Sequence, residues 1–351
     1  MYVRINVCEN NMSTEIILHP RNATKDQLRK LLVSHGYIKC EHLWEWPKGS
    51  LNFFWFENKD FKSTDGVEAT IYPASEELQK KLGFCPWALH TRTRASASRY
   101  DKEKQNETIR SARKHFGGKF YNDWHGYNRY TPLWEDPRLP EGRGIFFAYK
   151  RIKNRLDAIR PLLPDQKPLP DNEKIADLVR LTDPTRILYN ALIPFAVSAI
   201  EHFFSQTFQI LLHYDNGAQK KLKEQSRKIE ISNVVSVVRG ERQLEAIISD
   251  WYSFQNLSSI NAAYRDWFGI DVLKILRRRR KIGKRIALLE QRLNQLIEFR
   301  HGVIHHFAFD YRLGRDEFLD FLTSVDTIVE TFVDYLEKER GILIRAEFVD
   351  D

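Results

Sequence analysis

Cysteine is scarce in this 351-residue chain, which contains only Cys8, Cys40 and Cys85 and no CxxC pair. Such scarcity argues against a disulfide framework and against a cysteine-based zinc site. No run of 18 consecutive apolar residues occurs, so a membrane span is not expected. The N-terminal segment is too polar for a secretory signal, and we therefore expect a cytoplasmic protein. The chain also lacks GxGxxG and P-loop sequences, so no nucleotide cofactor is predicted.

Positive charge is in excess: 55 Lys and Arg face 47 Asp and Glu, for a formal net charge of +8. A basic balance favours a polyanionic partner such as nucleic acid, although it also fits a solvated basic surface. Hydrophobic residues make up 42% of the chain, enough for a substantial core.

Proline is concentrated in the first half of the chain, where eleven of the 13 prolines fall between Pro20 and Pro170. Six of the eight tryptophans also precede residue 135. We therefore predict an α+β domain over residues 1–160, a proline-rich exposed linker over 161–174, and an all-α helical bundle over 175–345.

In the first half, short extended runs are predicted at residues 15–18, 51–56, 67–72 and 145–149. A helix is predicted over 25–35 with Thr24 as its N-cap. In the second half, residues 184–214 are apolar almost all round, which predicts a long buried helix that Pro194 kinks or starts.

Further helices are predicted over 233–256, over the stretch 270–306, and over 316–340, where apolar residues recur every three or four positions. The second domain is thus expected to be a bundle of about four or five helices.

The segment IEFRHGVIHH, residues 297–306, carries the strongest chemical signal. It places Arg300 and His305 in an Arg-x4-His arrangement between apolar helical runs. Histidine can act as acid or base near neutral pH without a metal, and arginine offers a planar fork of donors to phosphate oxygens. These two residues suit attack of a ribose 2′-OH on its own adjacent phosphate. The alternative is an arginine near a helix end and a satisfied core histidine.

The sequence RHGVIH, residues 300–305, resembles the motif of the HEPN family, in which Arg is followed by a polar residue, three further residues and His. The segment AVSAIEHFFSQTF, residues 196–208, resembles the family's early helix, where an acidic residue, here Glu201, faces the site. The resemblance covers roughly half of the chain. Asn is commoner after the arginine, and the histidines His301 and His306 leave the assignment of acid and base open.

This resemblance implies a metal-independent endoribonuclease that leaves 2′,3′-cyclic phosphate ends, with no cofactor. It also implies a homodimer in which two Arg–His pairs meet, and a role as a toxin or anti-phage effector with an antitoxin or a phage-derived trigger as partner. Two alternatives remain open: a non-cleaving HEPN-like module that binds RNA or dimerises, and an activity located in the N-terminal domain.

Two further segments are candidate binding sites. The basic run 277–285 is predicted to lie on a helix, where it either contacts RNA or forms a solvated surface. Its cationic residues are Arg277, Arg278, Arg279, Arg280, Lys281, Lys284 and Arg285. Residues 90–130 form either a nucleotide or single-stranded nucleic-acid site or a surface loop packed by its aromatics. The candidate ligand-binding residues of that segment are Arg92, Arg94, Arg99, Lys119, Trp124, Tyr127 and Arg129.

Overall fold

The computed structural model describes residues 13–41, 46–76, 79–80, 83, 85–164, 168–283 and 285–345. The chain divides into two compact units, the first running to Pro137 and the second from Arg138 to Ala346. The division therefore precedes the boundary predicted after residue 160.

The first unit is built on a seven-stranded antiparallel sheet with the order β2-β3-β4-β5-β1-β6-β7. Its strands are β1 (Ser13–His19), β2 (Ile38–Cys40), β3 (Leu51–Trp55), β4 (Val67–Pro73), β5 (Trp87–Arg94), β6 (Lys119–Asn122) and β7 (Gly126–Tyr127). The runs predicted at 15–18, 51–56 and 67–72 are confirmed as β1, β3 and β4.

Two helices, α1 (Lys25–Ser34) and α2 (Arg99–Phe116), pack on one face of this sheet. The core there includes Ile16, Leu18, Phe53 and Leu89, which are buried between the sheet and these helices. The predicted N-cap is confirmed: the Thr24 hydroxyl accepts from the Gln27 backbone N–H in a capping box.

The second unit is mostly helical, as expected for the C-terminal half, but its described residues form ten α-helices and a hairpin instead of the predicted all-α bundle of about four or five helices. Its helices are α3 (Pro140–Ile159), α4 (Glu173–Thr182), α5 (Pro184–Tyr214), α6 (Asn216–Lys223), α7 (Ile231–Val238), α8 (Leu244–Ser249), α9 (Leu257–Phe268), α10 (Val272–Leu276), α11 (Leu289–His306) and α12 (Arg315–Arg340). A two-stranded hairpin of β8 (Arg279–Ile282) and β9 (Arg285–Leu288) stands between α10 and α11.

Helix α5 is the centre of this unit and packs against α3, α8, α11 and α12. The prediction of a long buried helix is confirmed, with Pro194 inside it. By length and composition, α5 is the one described helix that could cross a membrane, and half of its most apolar window is buried inside the unit. The three-four spacing predicted for α12 is also confirmed, because Phe318, Val325 and Phe332 on that stripe are fully buried.

The extended run predicted at 145–149 is wrong, since these residues lie in α3. Its isoleucine and aromatic residues favour a strand locally. Gly142 has a structural reason to be glycine: a Cβ there would lie 2.2 Å from the carbonyl oxygen of Leu343, so the helix passes close to another backbone segment.

The helix predicted across the basic run is also wrong, because the chain forms the β8–β9 hairpin there. A helix would stack like charges at i and i+4, whereas extended strands send neighbouring charges to opposite faces. Gly283 begins the two-residue connection with φ +56°, a conformation suited to a hairpin turn.

Two other predictions are corrected in the second unit. Residues 233–256 form the two short helices α7 and α8 rather than one, with Gly240 at φ +70° after the first. The segment predicted as an exposed linker is partly packed: Leu163 is buried, and the carbonyl oxygen of Pro164 accepts a 2.7 Å hydrogen bond from the Tyr189 hydroxyl.

Candidate functional site

Arg300 and Glu201 face each other between α11 and α5. Their Nη1 and Oε1 atoms are 3.4 Å apart, and only 17% and 16% of the two side chains is exposed. The Asn190 side chain bonds the Asp310 backbone in both directions, at 2.8 Å and 3.0 Å, so the two helices run in opposite directions. The acidic residue singled out in the early helix thus lies against the motif arginine.

This ion pair leaves hydrogen-bonding capacity unused. Neither Nε of Arg300 nor Oε1 of Glu201 forms a hydrogen bond with another described residue, although both atoms are buried. Burial raises the pKa of Glu201, and the nearby guanidinium of Arg300 opposes that shift without cancelling it. A buried polar atom without a partner costs about 1–3 kcal/mol, so an added donor or acceptor would be stabilised here.

Three histidines lie at the C-terminal end of α11, and all are exposed. The His301 ring centroid is 4.5 Å from that of His305 and 5.5 Å from that of His306. The helix ends there because Phe307 adopts a left-handed conformation with φ +50°. Two imidazoles in near contact can divide the work of removing one proton and delivering another.

Within one chain, Arg300 and His305 do not share a face. Five helical positions separate them by about 140° around the axis. The arginine is directed toward α5, whereas His305 is exposed to solvent. His301, next to the arginine and in ring contact with His305, links the two positions.

A second cationic group contacts His202, the residue after Glu201, and was missed by sequence reasoning. Arg151 of α3 donates from Nη1 to Nε2 of His202 at 3.2 Å. Burial lowers the pKa of His202, and the charges of Arg151 and Arg155 lower it further. The available signals were the adjacency of His202 to Glu201 and the i, i+4 spacing of the two arginines. These signals did not lead to a prediction because the run just before Arg151, residues 145–149, was predicted to be extended.

An open cleft of about 360 Å³ begins at Glu201 and His202. It is lined mainly by hydroxyl, amide and imidazole groups, with Ser198, Ser205, Tyr252 and Gln255 among them. Such a lining offers donors and acceptors next to the Arg300–Glu201 pair.

The predicted RNA-binding residues that the structure describes lie on or beside the hairpin, and all are exposed. Arg277 pairs with Glu290, with Nε 2.9 Å from Oε2. Arg278, Arg279, Arg280, Lys281 and Arg285 form no ion pair with another described residue. Lys284 lies outside the described residues.

The N-terminal candidates do not converge on one site. The segment 90–130, predicted as either a binding segment or a surface loop, consists of β5, α2 and the β6–β7 hairpin. Arg92 contacts Glu15 at 3.5 Å and Glu68 at 3.9 Å across neighbouring strands. Arg94, Lys119 and Arg129 are exposed. Arg99 begins α2, which packs on the face of the sheet opposite to Arg92.

The aromatic members of that group belong to the β6–β7 hairpin. The Tyr127 ring packs 5.0 Å from Tyr121, and Trp124 donates from Nε1 to the Ser13 carbonyl oxygen at 2.8 Å. Their positions are explained by cross-strand packing within the unit.

Comparison with known proteins gives no relative: no family model, curated protein or solved structure matches this chain. Among the described residues, no group of three or more His, Cys, Asp and Glu side chains is arranged to hold a metal ion.

Proposed function

We propose that this protein is a metal-independent endoribonuclease of the HEPN type, with Arg300 and His305 as its principal catalytic residues. The observation that carries the proposal is the under-bonded guanidinium of Arg300, held by Glu201 beside a group of exposed imidazoles. A cation fixed next to titratable groups is what in-line attack on a phosphodiester requires.

In this mechanism a histidine removes the proton from the 2′-OH, which attacks the adjacent phosphorus. The P–O5′ bond breaks, and a second histidine protonates the departing 5′-oxygen, leaving a 2′,3′-cyclic phosphate. Arg300 stabilises the charge that develops on the non-bridging oxygens. Glu201 is a positioning residue, because it touches the guanidinium and not the phosphate.

A dimer accounts for the different faces of Arg300 and His305. Phe195, Ile304 and Phe307 are exposed by 67%, 44% and 78%, and a group of exposed apolar side chains is typical of an interaction surface. They lie between the Glu201–Arg300 contact and the Asn190–Asp310 contact, and therefore at the same level of the two helices. A symmetric interface over this patch would place histidines of one copy near those of the other.

The alternative is a non-cleaving module that binds RNA or dimerises. It is favoured by the low exposure of both members of the Arg300–Glu201 pair, which a structural ion pair shares. The biological setting we propose for the cleaving form is a toxin or anti-phage effector, kept inactive by an antitoxin or released by a phage-derived trigger.

The test is incubation of the full chain with RNA in EDTA, followed by analysis of the product ends. We expect cleavage with cyclic phosphate ends, and loss of at least about two orders of magnitude in rate for His305→Ala. A matched control is His125→Ala, which changes an exposed histidine of the first unit. The proposal is wrong if a folded His305→Ala protein cleaves at the wild-type rate.

A further inference from the structure

The β8–β9 hairpin, here called the basic ribbon (described residues 279–283 and 285–288), presents cations that have no ion-pair partner among the described residues. Arg279, Arg280, Lys281 and Arg285 are exposed and form no ion pair with another described residue. Arg277, just before the ribbon, is in contrast paired with Glu290. Unpaired, clustered cations repel one another, so a polyanion that neutralises them is bound favourably.

The strand register distributes these cations over both faces of the ribbon. Arg280 pairs with Ala287 and Ile282 with Arg285, which places Arg280 and Arg285 on the same face as the buried Ile282, although both arginines are exposed. Arg279 pairs with Leu288 and Lys281 with Ile286, which places Arg279 and Lys281 on the other.

The ribbon is held firmly on the bundle. Ile282 is buried at its tip, and Gly283 packs against Asp320 of α12 so closely that a Cβ would lie 2.0 Å from Oδ1. At its other end, Leu289 N–H donates to the Arg278 carbonyl oxygen at 3.2 Å, where α11 begins. At about 1.5 Å per residue along α11, Arg300 lies roughly 17 Å and His305 roughly 24 Å from the ribbon.

We infer that the basic ribbon binds the paired stem of a folded RNA, with Arg279 and Lys281 of the solvent face on one phosphate backbone and the exposed guanidinium groups of Arg280 and Arg285 on the other. This inference rests on the proposed function for one point only, that the RNA bound is also the RNA cleaved. Duplex RNA is recognised largely through its shape and phosphates, and two separate pairs of exposed cations match two backbones. The fixed distance to the motif then directs cleavage to nucleotides outside the stem.

The test uses the full chain carrying His305→Ala, so that RNA is not consumed. Two RNAs of equal length and composition serve as probes, one forming a stem–loop and the other unstructured. We expect the stem–loop to bind at least about tenfold more tightly. Arg279→Gln with Lys281→Gln, and separately Arg280→Gln with Arg285→Gln, should each remove most of that preference. For each double variant, the slope of log K against log salt should fall by about 2, since each phosphate contact contributes about 0.9.

Lys220→Gln with Lys223→Gln on α6 is the matched control, because it removes two exposed cations elsewhere in the same unit. It should leave the preference intact. The inference is overturned if the two RNAs bind equally, if only one face matters, or if the control has the same effect. Failure of the proposed function gives a different result: the protein with His305 intact cleaves neither RNA while the ribbon-dependent preference persists.

Discussion

The ion pair between Arg300 and Glu201 can stabilise the bundle, position a guanidinium for chemistry, or do both. Because both side chains are largely buried, removing either one leaves a charge without its partner. A loss of activity in a single variant therefore does not separate the two roles. Removing both charges together does, since no uncompensated charge then remains.

We predict that Arg300→Gln lowers the free energy of unfolding by about 1–3 kcal/mol, the cost of leaving a buried polar group unpaired. Arg300→Gln with Glu201→Gln should regain much of that stability and still fail to cleave RNA. Urea unfolding and a cleavage assay on the same preparations measure both quantities. Wild-type cleavage by the double variant would show that Arg300 is only structural.

His202 makes the stability of the protein depend on pH. Its pKa is lowered in the folded state by burial and by two arginines, so folding favours the neutral ring. The stabilisation is therefore present above the unfolded value of about 6.5 and is lost as pH falls through the folded pKa. We predict that His202→Gln, whose amide oxygen can still accept from Arg151, removes this loss.

The free energy of unfolding, measured from pH 8 to pH 5, should fall less steeply below pH 6.5 in the variant than in the wild type. His306→Gln, at an exposed position, is the control and should leave the steepness unchanged. Parallel curves for wild type and His202→Gln would contradict the prediction.

At the scale of elements, the basic ribbon depends on one glycine for two separate reasons. Gly283 has φ +56°, and its α-carbon lies against Asp320. Gly240 has φ +70° but no neighbour within 4 Å of where a Cβ would stand. The two positions therefore share the backbone strain of an added side chain and differ only in the clash.

We predict that Gly240→Ala costs about 1–2 kcal/mol, the strain of an L-residue in the left-handed region. Gly283→Ala should lower the free energy of unfolding clearly more. Combining it with Asp320→Ala should reduce that loss to about the loss measured for Gly240→Ala. Thermal or urea unfolding measures these differences. Equal losses at the two glycines would mean that the ribbon is not packed against α12 as described.

At the scale of the whole molecule, the boundary between the two units decides which fragment can function. Helix α3 buries Ile145, Ile152 and Leu156 in the second unit and supplies Arg151. We predict that a fragment of residues 138–351 folds and cleaves RNA, whereas one that starts at residue 175 loses part of its core and does not. Circular dichroism and the cleavage assay test this. A folded, active 175–351 fragment would show that α3 is dispensable.

Oligomerisation is the other property of the whole molecule that the proposed mechanism requires. We predict that Phe195→Ser with Phe307→Ser converts a dimer to a monomer and abolishes cleavage, because both exposed rings lie beside the motif. The control is Ile231→Ser with Val238→Ser on α7, where the two side chains are 81% and 82% exposed. Light scattering at micromolar concentration gives the mass. The expectation fails if the α7 variant is the monomer, or if the wild type is monomeric and cleaves.

Much of the fold could be predicted from sequence where a signal is local. The extended runs of β1, β3 and β4, the N-cap at Thr24, and the apolar residues along α5 and α12 are each recognisable from residues a few positions apart. The same holds for the motif itself, since Arg300 and the three histidines are adjacent on one helix.

The sequence by itself therefore determined which residues carry candidate chemistry and which long segments form strands and helices. Only the tertiary structure decided what those residues face. The pairing of Arg300 with Glu201, the contact of Arg151 with His202, and the helical state of α3 all depend on packing between segments far apart in the chain. The basic run forms a hairpin because like charges disfavour a helix, and because Ile282 is buried and Gly283 packs against Asp320 of α12. Such contacts leave no periodic trace in the sequence, because the residues that make them are not neighbours until the chain has folded.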